Sequence, residues 1–461
     1  MNTASHPSHT MILGLGLSGL ATAQWLHKQG ERLTAWDEHD TPSSRAAAET
    51  LRKLSIPVIL GSPRDPKVQS FISSQAPFTR TFISPGIDPR RPEIQALTHD
   101  SPLTSELDLV APHLTCPIIA ITGTNGKTTT TELIHHILIT AGKRSIAAGN
   151  IGTPITQILD QIHHLDYLVL EVSSFQLEQT HLFHPHIALI LNITPDHLDR
   201  YDSFEAYART KWKLTARQTP RDTLIHNANL TPLLPPRAQS ITFTASPHLY
   251  PHADYKLENN QLIAHGTPCL SIQEIQLIGK HNAENLLAAL AAADALHIPR
   301  EATLQALRSY KAQAHRCEPI ATLNGVLYVN DSKGTNLDAV VRALEALDRP
   351  TILIAGGKDK DLDFASIAPA VARYARHAVL IGEARHKIQS AWQAHLPTTL
   401  ADSLEEAVNR AASLARAGEA VLLSPGCASF DMFRDYKHRG ETFRQYVLTK
   451  LQPQNHITTS T

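Results

Sequence analysis

"CPIIAITGTNGKTTTTELIHHIL", residues 116–138, passes from an apolar β-branched run through a glycine loop into a helix-forming stretch. A strand, a loop and a helix follow from that order. The familiar phosphate loop, Gly-x-x-x-x-Gly-Lys-Ser/Thr, would need glycine six positions before Lys127, and Ile121 stands there. The glycines are instead Gly123 and Gly126. The junction still carries what a phosphate needs: backbone N–H groups freed by glycine, the positive end of a helix, the charge of Lys127, and Thr128 to reach a magnesium ion. The plainer alternative is an ordinary βα turn with an exposed lysine.

Outward from this stretch, short apolar runs alternate with Ala/Leu-rich helical segments almost throughout, the rhythm of parallel α/β sheets. A chain of 461 residues is too long for one core and suggests about three domains. The first block opens with the strand "MILGLG" and closes near "LTSELDLV"; the third starts near Ala312, with strands at "GVLYVND", "TILIAGG", "HAVLIG" and "AVLLSPG". The Pro-rich interval 220–270 reads as loops and short strands rather than another βα repeat. The expectation is an α/β protein of three domains: a Rossmann-like one over 1–108, a central phosphate-loop ATPase with a parallel sheet over 109–311, and a second Rossmann-like one over 312–461.

Lysine plus arginine (42) nearly balances aspartate plus glutamate (43), so no global field would gather nucleic acid or an anionic membrane. Four separated cysteines without a Cys-x-x-Cys pair argue against a zinc ribbon or a disulfide scaffold and fit a reducing cytoplasm. "MILGLGLSGLATAQWL" (11–26) is apolar, but phased glycines interrupt it and no Lys or Arg precedes it, which is unlike a secretory signal. No run reaches the roughly 18 apolar residues of a membrane span.

Ligands of open parallel sheets gather at the carboxyl ends of strands. "DYLVLEVSSFQLE" delivers Glu171 there, and "LNITPDHLDRY" delivers Asn192, Asp196 and His197. Each residue alone could be the first polar position of a loop; beside Lys127 and Thr128 they form a set suited to a nucleotide and its metal. In the first block Gly14-x-Gly16-x-x-Gly19, with Asp37 about twenty residues on, is the dinucleotide fingerprint. Taken alone, that motif suggests NAD.

"GTNGKTTT", "EVSSFQLE", "NITPDHLDRY", "YARTK" and "GKHNAENLLAAL" together resemble the Mur ligase family, ATP-dependent amide-forming enzymes that include the folylpolyglutamate synthetases. In that family the shorter Gly-x-x-Gly-Lys-Thr loop is the normal form. The resemblance implies an ATP site at Gly123, Thr124, Asn125, Gly126, Lys127, Thr128 and Thr129, with Asn282 and Asn285 near the adenine and ribose and Arg316 and Asp331 on the nucleotide side. It implies two magnesium ions attended by Thr128, Glu171, His197 and Lys211, the last carried as a carbamate. Lys127, Glu171, His197, Lys211 and Arg316 would be the catalytic set.

The loops "NDSKGTN", "GGKDKDLDF" and "SPGCASFDMF" resemble those of the branch that adds D-glutamate to UDP-N-acetylmuramoyl-L-alanine. That likeness puts Lys333, Thr335, Lys360, Ser429, Phe430 and Tyr436 around the glutamate, where two lysines suit a dianion. It puts Leu17, Ser18, Asp37, Ser84, Gly86, Asn150 and His197 around the UDP substrate, although Glu38 stands where such members often carry a hydroxyl residue. The implied reaction runs through an acyl phosphate with no enzyme nucleophile, in a cytoplasmic monomer. The competing readings are another member of the family adding a different amino acid, an NAD-dependent oxidoreductase, and a phosphate-loop switch. The last two leave, respectively, the Lys127 loop and the third-block lysines without purpose.

Overall fold

The computed structural model describes residues 8–451, except 99–100, 199, 276, 278–279, 312–313, 348 and 360–361. By its own contacts the chain divides into two compact units. One comprises residues up to 244 with 248–255 and 288–306; the other comprises 245–247, 256–287 and the chain from 307 on.

The first unit holds two parallel arrays. In the first, β1 (His9–Leu13), β2 (Arg32–Asp37), β3 (Val58–Leu60), β4 (Arg80–Ile83) and β5 (Leu103–Thr104) lie in the order β3-β2-β1-β4-β5. The order reverses beside β1, so the loops after β1, β2 and β4 open on one crevice. Gly14 takes φ +89°, and a Cβ on Gly19 would come within 1.8 Å of Gly14 O, so the helix Leu17–Lys28 can approach this turn only with glycine there.

The second array comprises β6 (Ile118–Thr122), β7 (Ser145–Gly149), β8 (Tyr167–Glu171), β9 (Ile187–Ile190), β10 (Thr223–Asn227) and β11 (Gln239–Thr244), ordered β7-β8-β6-β9-β10-β11. All five pairings are parallel. The apolar residues of β6, β8 and β9 are buried, as expected of central parallel strands covered on both faces. The interval 220–270 holds short strands and loops, as expected, with no helix between β10 and β11, and these two strands extend the parallel sheet. The buried pair Leu224 and Ile225 earns β10 its place, and the prolines at 232, 235 and 236 fall in the connection rather than in a strand.

In the second unit, β12 (Tyr255–Glu258), which enters it from Lys256 on, precedes an antiparallel pair, β13 (Gln261–Ala264) and β14 (Thr267–Ser271). The C-terminal sheet comprises β15 (Glu318–Leu323), β16 (Val326–Asn330), β17 (Thr351–Gly356), β18 (Ala375–Ile381), β19 (Thr398–Leu400) and β20 (Ala420–Leu423), ordered β15-β16-β20-β17-β18-β19. Only the β15–β16 pairing is antiparallel. β20 lies between β16 and β17, so the loops after these three strands, 331–336, 356–359 and 424–430, emerge side by side. Strand β15 carries no clean apolar alternation, and its half-exposed edge position accounts for its absence from the sequence reading.

Candidate active site

The loop after β6 is built by its neighbours. Asn192, at the end of β9, accepts from Asn125 N at 2.8 Å and donates to Asn125 O at 3.0 Å, while Thr124 Oγ1 donates to Thr194 O and contacts Tyr207 Oη at 3.1 Å. Gly126 has φ +84°, and the helix Lys127–Thr140 begins without a capping side chain. Its N-terminal end therefore faces the loop. Lys127 Nζ donates to Gly123 O at 2.9 Å and Thr124 O at 2.8 Å, holding its charge at the mouth of the loop.

Glu171 is 3 % exposed. Its Oε2 accepts from Thr128 Oγ1 at 2.7 Å and its Oε1 from Asn150 Nδ2 at 2.6 Å. The structure thus joins three predicted residues from the ends of β7, β8 and β6. A buried carboxylate beside a threonine hydroxyl is an oxygen donor pair, the chemistry magnesium favours, so these residues fit the expected ion. Asp196 and His197 follow β9; His197 adopts φ +54°, its Nε2 lies 3.8 Å from Asp196 Oδ2, and its ring packs 4.7 Å from that of Phe175.

Lys211, in the helix Phe204–Trp212, is 1 % exposed, with Nζ donating to Gly123 O at 2.9 Å and lying 4.6 Å from the centre of the Tyr207 ring. Burial, reinforced by repulsion from Lys127, holds its pKa well below the ordinary lysine value, against the opposing pull of Asp196 and Glu171. A helix-surface lysine would show none of this. Tyr207, which the sequence reading did not single out, links Thr124 to Lys211; an aromatic four residues before the lysine was its only sign.

In the first crevice Asp37 Oδ2 accepts from Leu15 N at 2.6 Å and Oδ1 from His39 N at 2.9 Å, so this carboxylate also braces the glycine turn. Ser84 Oγ donates to Gly14 O at 3.1 Å. Leu17 is exposed, Ser18 half-buried and Gly86 exposed at the same end of the sheet. Glu38 is held by Arg91 in a two-pronged pair at 2.6 and 2.8 Å, which lowers its pKa chiefly through those bonds.

In the second unit, Asn285 Nδ2 donates to Asn282 Oδ1 at 3.1 Å. Asp331 accepts from Ser424 Oγ at 2.8 Å and Cys317 N at 3.1 Å, and burial raises its pKa to about 6 despite those bonds and the charge of half-buried Arg316. Lys333 Nζ stands 4.1 Å from the centre of the Tyr436 ring; Thr335 is half-buried and Ser429 buried in the adjacent loops. Phe430, next to Ser429 in the chain, is 69 % exposed. Lys360 lies outside the described residues.

A phosphate loop joined to a buried carboxylate at the ends of parallel strands is the constellation of a nucleotide-using enzyme. Family models match along the chain: "Mur ligase MurD-like, N-terminal domain" over 8–101, "Mur ligase middle domain" over 121–293, and "Mur ligase, glutamate ligase domain" over 315–427. The chain is 39 % identical to a UDP-N-acetylmuramoylalanine--D-glutamate ligase of Acidobacterium capsulatum, covering 95 % of each chain. It is 37 % identical to the ligase of that name from Pelotomaculum thermopropionicum, covering 95 % of this chain and 97 % of the relative. Among solved structures it is similar in fold to a pseudomurein peptide ligase type C from Methanothermus fervidus, with TM-score 0.59, 19 % identity and coverage of 95 % and 99 %. It is likewise similar to the MurF ligase of Thermotoga maritima solved with ADP, with TM-score 0.58, 14 % identity and 97 % of both chains covered. The protein belongs to the Mur ligase family.

Proposed function

We propose that this enzyme joins D-glutamate to UDP-N-acetylmuramoyl-L-alanine, converting ATP to ADP and phosphate. The observation that carries this reading is the similarity to D-glutamate ligases over 95 % of the chain. The clustered loops after β16, β17 and β20 support it.

A carboxylate is a poor electrophile. An oxygen of the alanyl carboxylate attacks the γ-phosphorus of ATP, the bond to the bridging oxygen breaks, and ADP leaves. The amine of D-glutamate then attacks the acyl carbon, loses a proton, and phosphate departs. The N–H groups of residues 123–129 hold the phosphates, with Lys127 turning from its own carbonyls to the transferring group and Arg316 adding a second charge. Asn282, Asn285 and Asp331 bind the nucleoside side. Thr128, Glu171, His197 and Lys211 would hold two magnesium ions, which when bound draw negative charge from the phosphate oxygens.

Lys211 suits the carbamate reading because burial lowers its pKa and so favours the neutral amine, the form that adds to CO₂ through a new N–C bond with release of one proton. The product is an anion where the bare amine would face two cations.

Leu17, Ser18, Asp37, Ser84, Gly86, Asn150 and His197 bind the UDP substrate, while Lys333, Thr335, Lys360, Ser429 and Tyr436 bind glutamate. Phe430, facing solvent, is the weakest member of that second set. On the same reading the domains divide after residues 108 and 311 and the enzyme is a monomer, with nucleotide substrates that suit the cytoplasm.

The test is isotopic. With ¹⁸O in the alanyl carboxylate, label should appear in the released phosphate; phosphate without label would refute acyl phosphate formation.

A further inference from the structure

The helix Tyr436–Lys450 begins beside the three loops that emerge together from β16, β17 and β20, and it buries one arginine. Arg439 is 1 % exposed. Its Nε donates to Ser332 Oγ at 3.0 Å and its Nη2 to Ser332 O at 2.9 Å, while Nη1 and Nη2 reach Cys427 O at 3.3 and 3.2 Å and Nη1 reaches Ala428 O at 3.4 Å. Among the described residues no carboxylate lies within ion-pair distance of it. The third loop is in the same contact: a Cβ built on Gly357 would come within 2.3 Å of Ala428 O and 3.2 Å of Arg439 Nη1, and Lys358 N donates to Ala428 O at 2.9 Å. Ser332 Oγ returns to the helix by donating to Tyr436 O at 2.8 Å.

Burying a guanidinium without a carboxylate partner is costly, and here burial lowers its pKa to about 10, which leaves it charged at neutral pH. A core that needed only volume would be better filled by leucine or methionine. What the guanidinium supplies is a planar fork of donors whose fixed angles hold several acceptors in one relation. The acceptors are main-chain and hydroxyl oxygens immediately before Lys333 and immediately before Ser429.

We infer that Arg439 is a positioning residue that locks the loops 331–336, 356–359 and 424–430 into one frame and thereby sets the spacing of the groups that receive the glutamate carboxylates. This rests on the proposed function for the identity of the ligand. Arg439 does not touch substrate; it acts through Ser332, Cys427 and Ala428. The lysine variant keeps the charge but loses the fork, and so separates geometry from electrostatics.

The experiment compares wild type with Arg439→Lys and Arg439→Ala, measuring kcat and KM separately for D-glutamate, ATP and the UDP substrate. In both variants KM for D-glutamate should rise about tenfold or more, the effect of losing one or two of these hydrogen bonds, while the other two KM values stay within about twofold. Guanidinium chloride at low millimolar concentration should restore the D-glutamate KM of Arg439→Ala, and sodium chloride at equal ionic strength should not. An unchanged D-glutamate KM, a parallel rise in all three, or equal recovery with either salt would overturn the inference. Amide hydrogen exchange is followed on the same proteins: exchange should quicken in all three loops of Arg439→Lys while β17 and β20 keep wild-type protection. If wild type proves not to use D-glutamate, the functional reading fails and the exchange experiment alone decides the inference, with unchanged loop exchange refuting it.

Discussion

Replacing Lys211 with alanine separates the structural from the chemical part of the account. The side chain is buried, so the change removes three methylenes worth about 0.8 kcal/mol each, and with them a hydrogen bond to Gly123 O worth about 1 kcal/mol. Relief of a desolvated amine beside Lys127 opposes that loss. The net destabilisation should be about 1–3 kcal/mol, a fall in Tm of several degrees. Activity should fall far more, by about 10²–10³-fold, because the anion proposed to help hold magnesium against the phosphates is gone. Short carboxylates such as formate or acetate can enter the vacated space and supply an anion, so they should recover part of the rate; chloride should not. The assay is ADP release with and without each salt, beside thermal melting and a ¹³C spectrum of wild type in ¹³CO₂-enriched buffer. Wild-type activity in the alanine variant, or the absence of a carbamate resonance from active wild-type enzyme, would refute the reasoning.

Glu171→Gln should abolish most turnover and raise the magnesium concentration needed for half-maximal rate, since it puts an amide against Thr128 Oγ1 or Asn150 Nδ2; an unchanged magnesium titration would contradict its role. Gly334→Ala should disturb glutamate binding, because its Cβ would come within 2.4 Å of Asp331 Oδ2 and 2.9 Å of Ser424 Oγ; KM for D-glutamate is the readout, and an unaltered value would count against that crowding. Asp331, with a folded pKa of about 6 against an ordinary 3.8, keeps a proton the unfolded chain has released. Its contribution therefore lowers the unfolding free energy as pH rises from about 4 to about 6, by at most ~3 kcal/mol. Denaturant unfolding of Asp331→Asn across that window should lack this component, and parallel wild-type and variant profiles would show that the shift is absent.

The parallel sheets and the first two crevices were legible because strand-end chemistry is local in sequence: Gly123 to Thr128, Glu171 and His197 each follow an apolar run that marks its own strand. The loops after β16, β17 and β20, proposed to receive glutamate, were legible as polar clusters for the same reason, since each follows an apolar strand. The interval 220–270 was legible as short strands and loops, but that β10 and β11 join the parallel sheet was not, since no helix separates them and the prolines lie between them. Phe430 was assigned by its place in a motif, yet the chain there turns its ring to solvent. Arg439 gave no signal, because a buried arginine in a polar helix reads as one more surface charge until its neighbours are known. Arg91 was hidden likewise: its pairing with Glu38 spans 53 residues and joins two loops of one crevice.

The central claim is an ATP-dependent joining of two particular substrates, and the most direct measurement is ADP release with each omitted in turn. Release should require both UDP-N-acetylmuramoyl-L-alanine and D-glutamate, fall to background when either is absent, and stay there when L-glutamate replaces the D-isomer. ADP formed at the full rate without the acceptor or without glutamate, or with either glutamate isomer equally, would contradict the account.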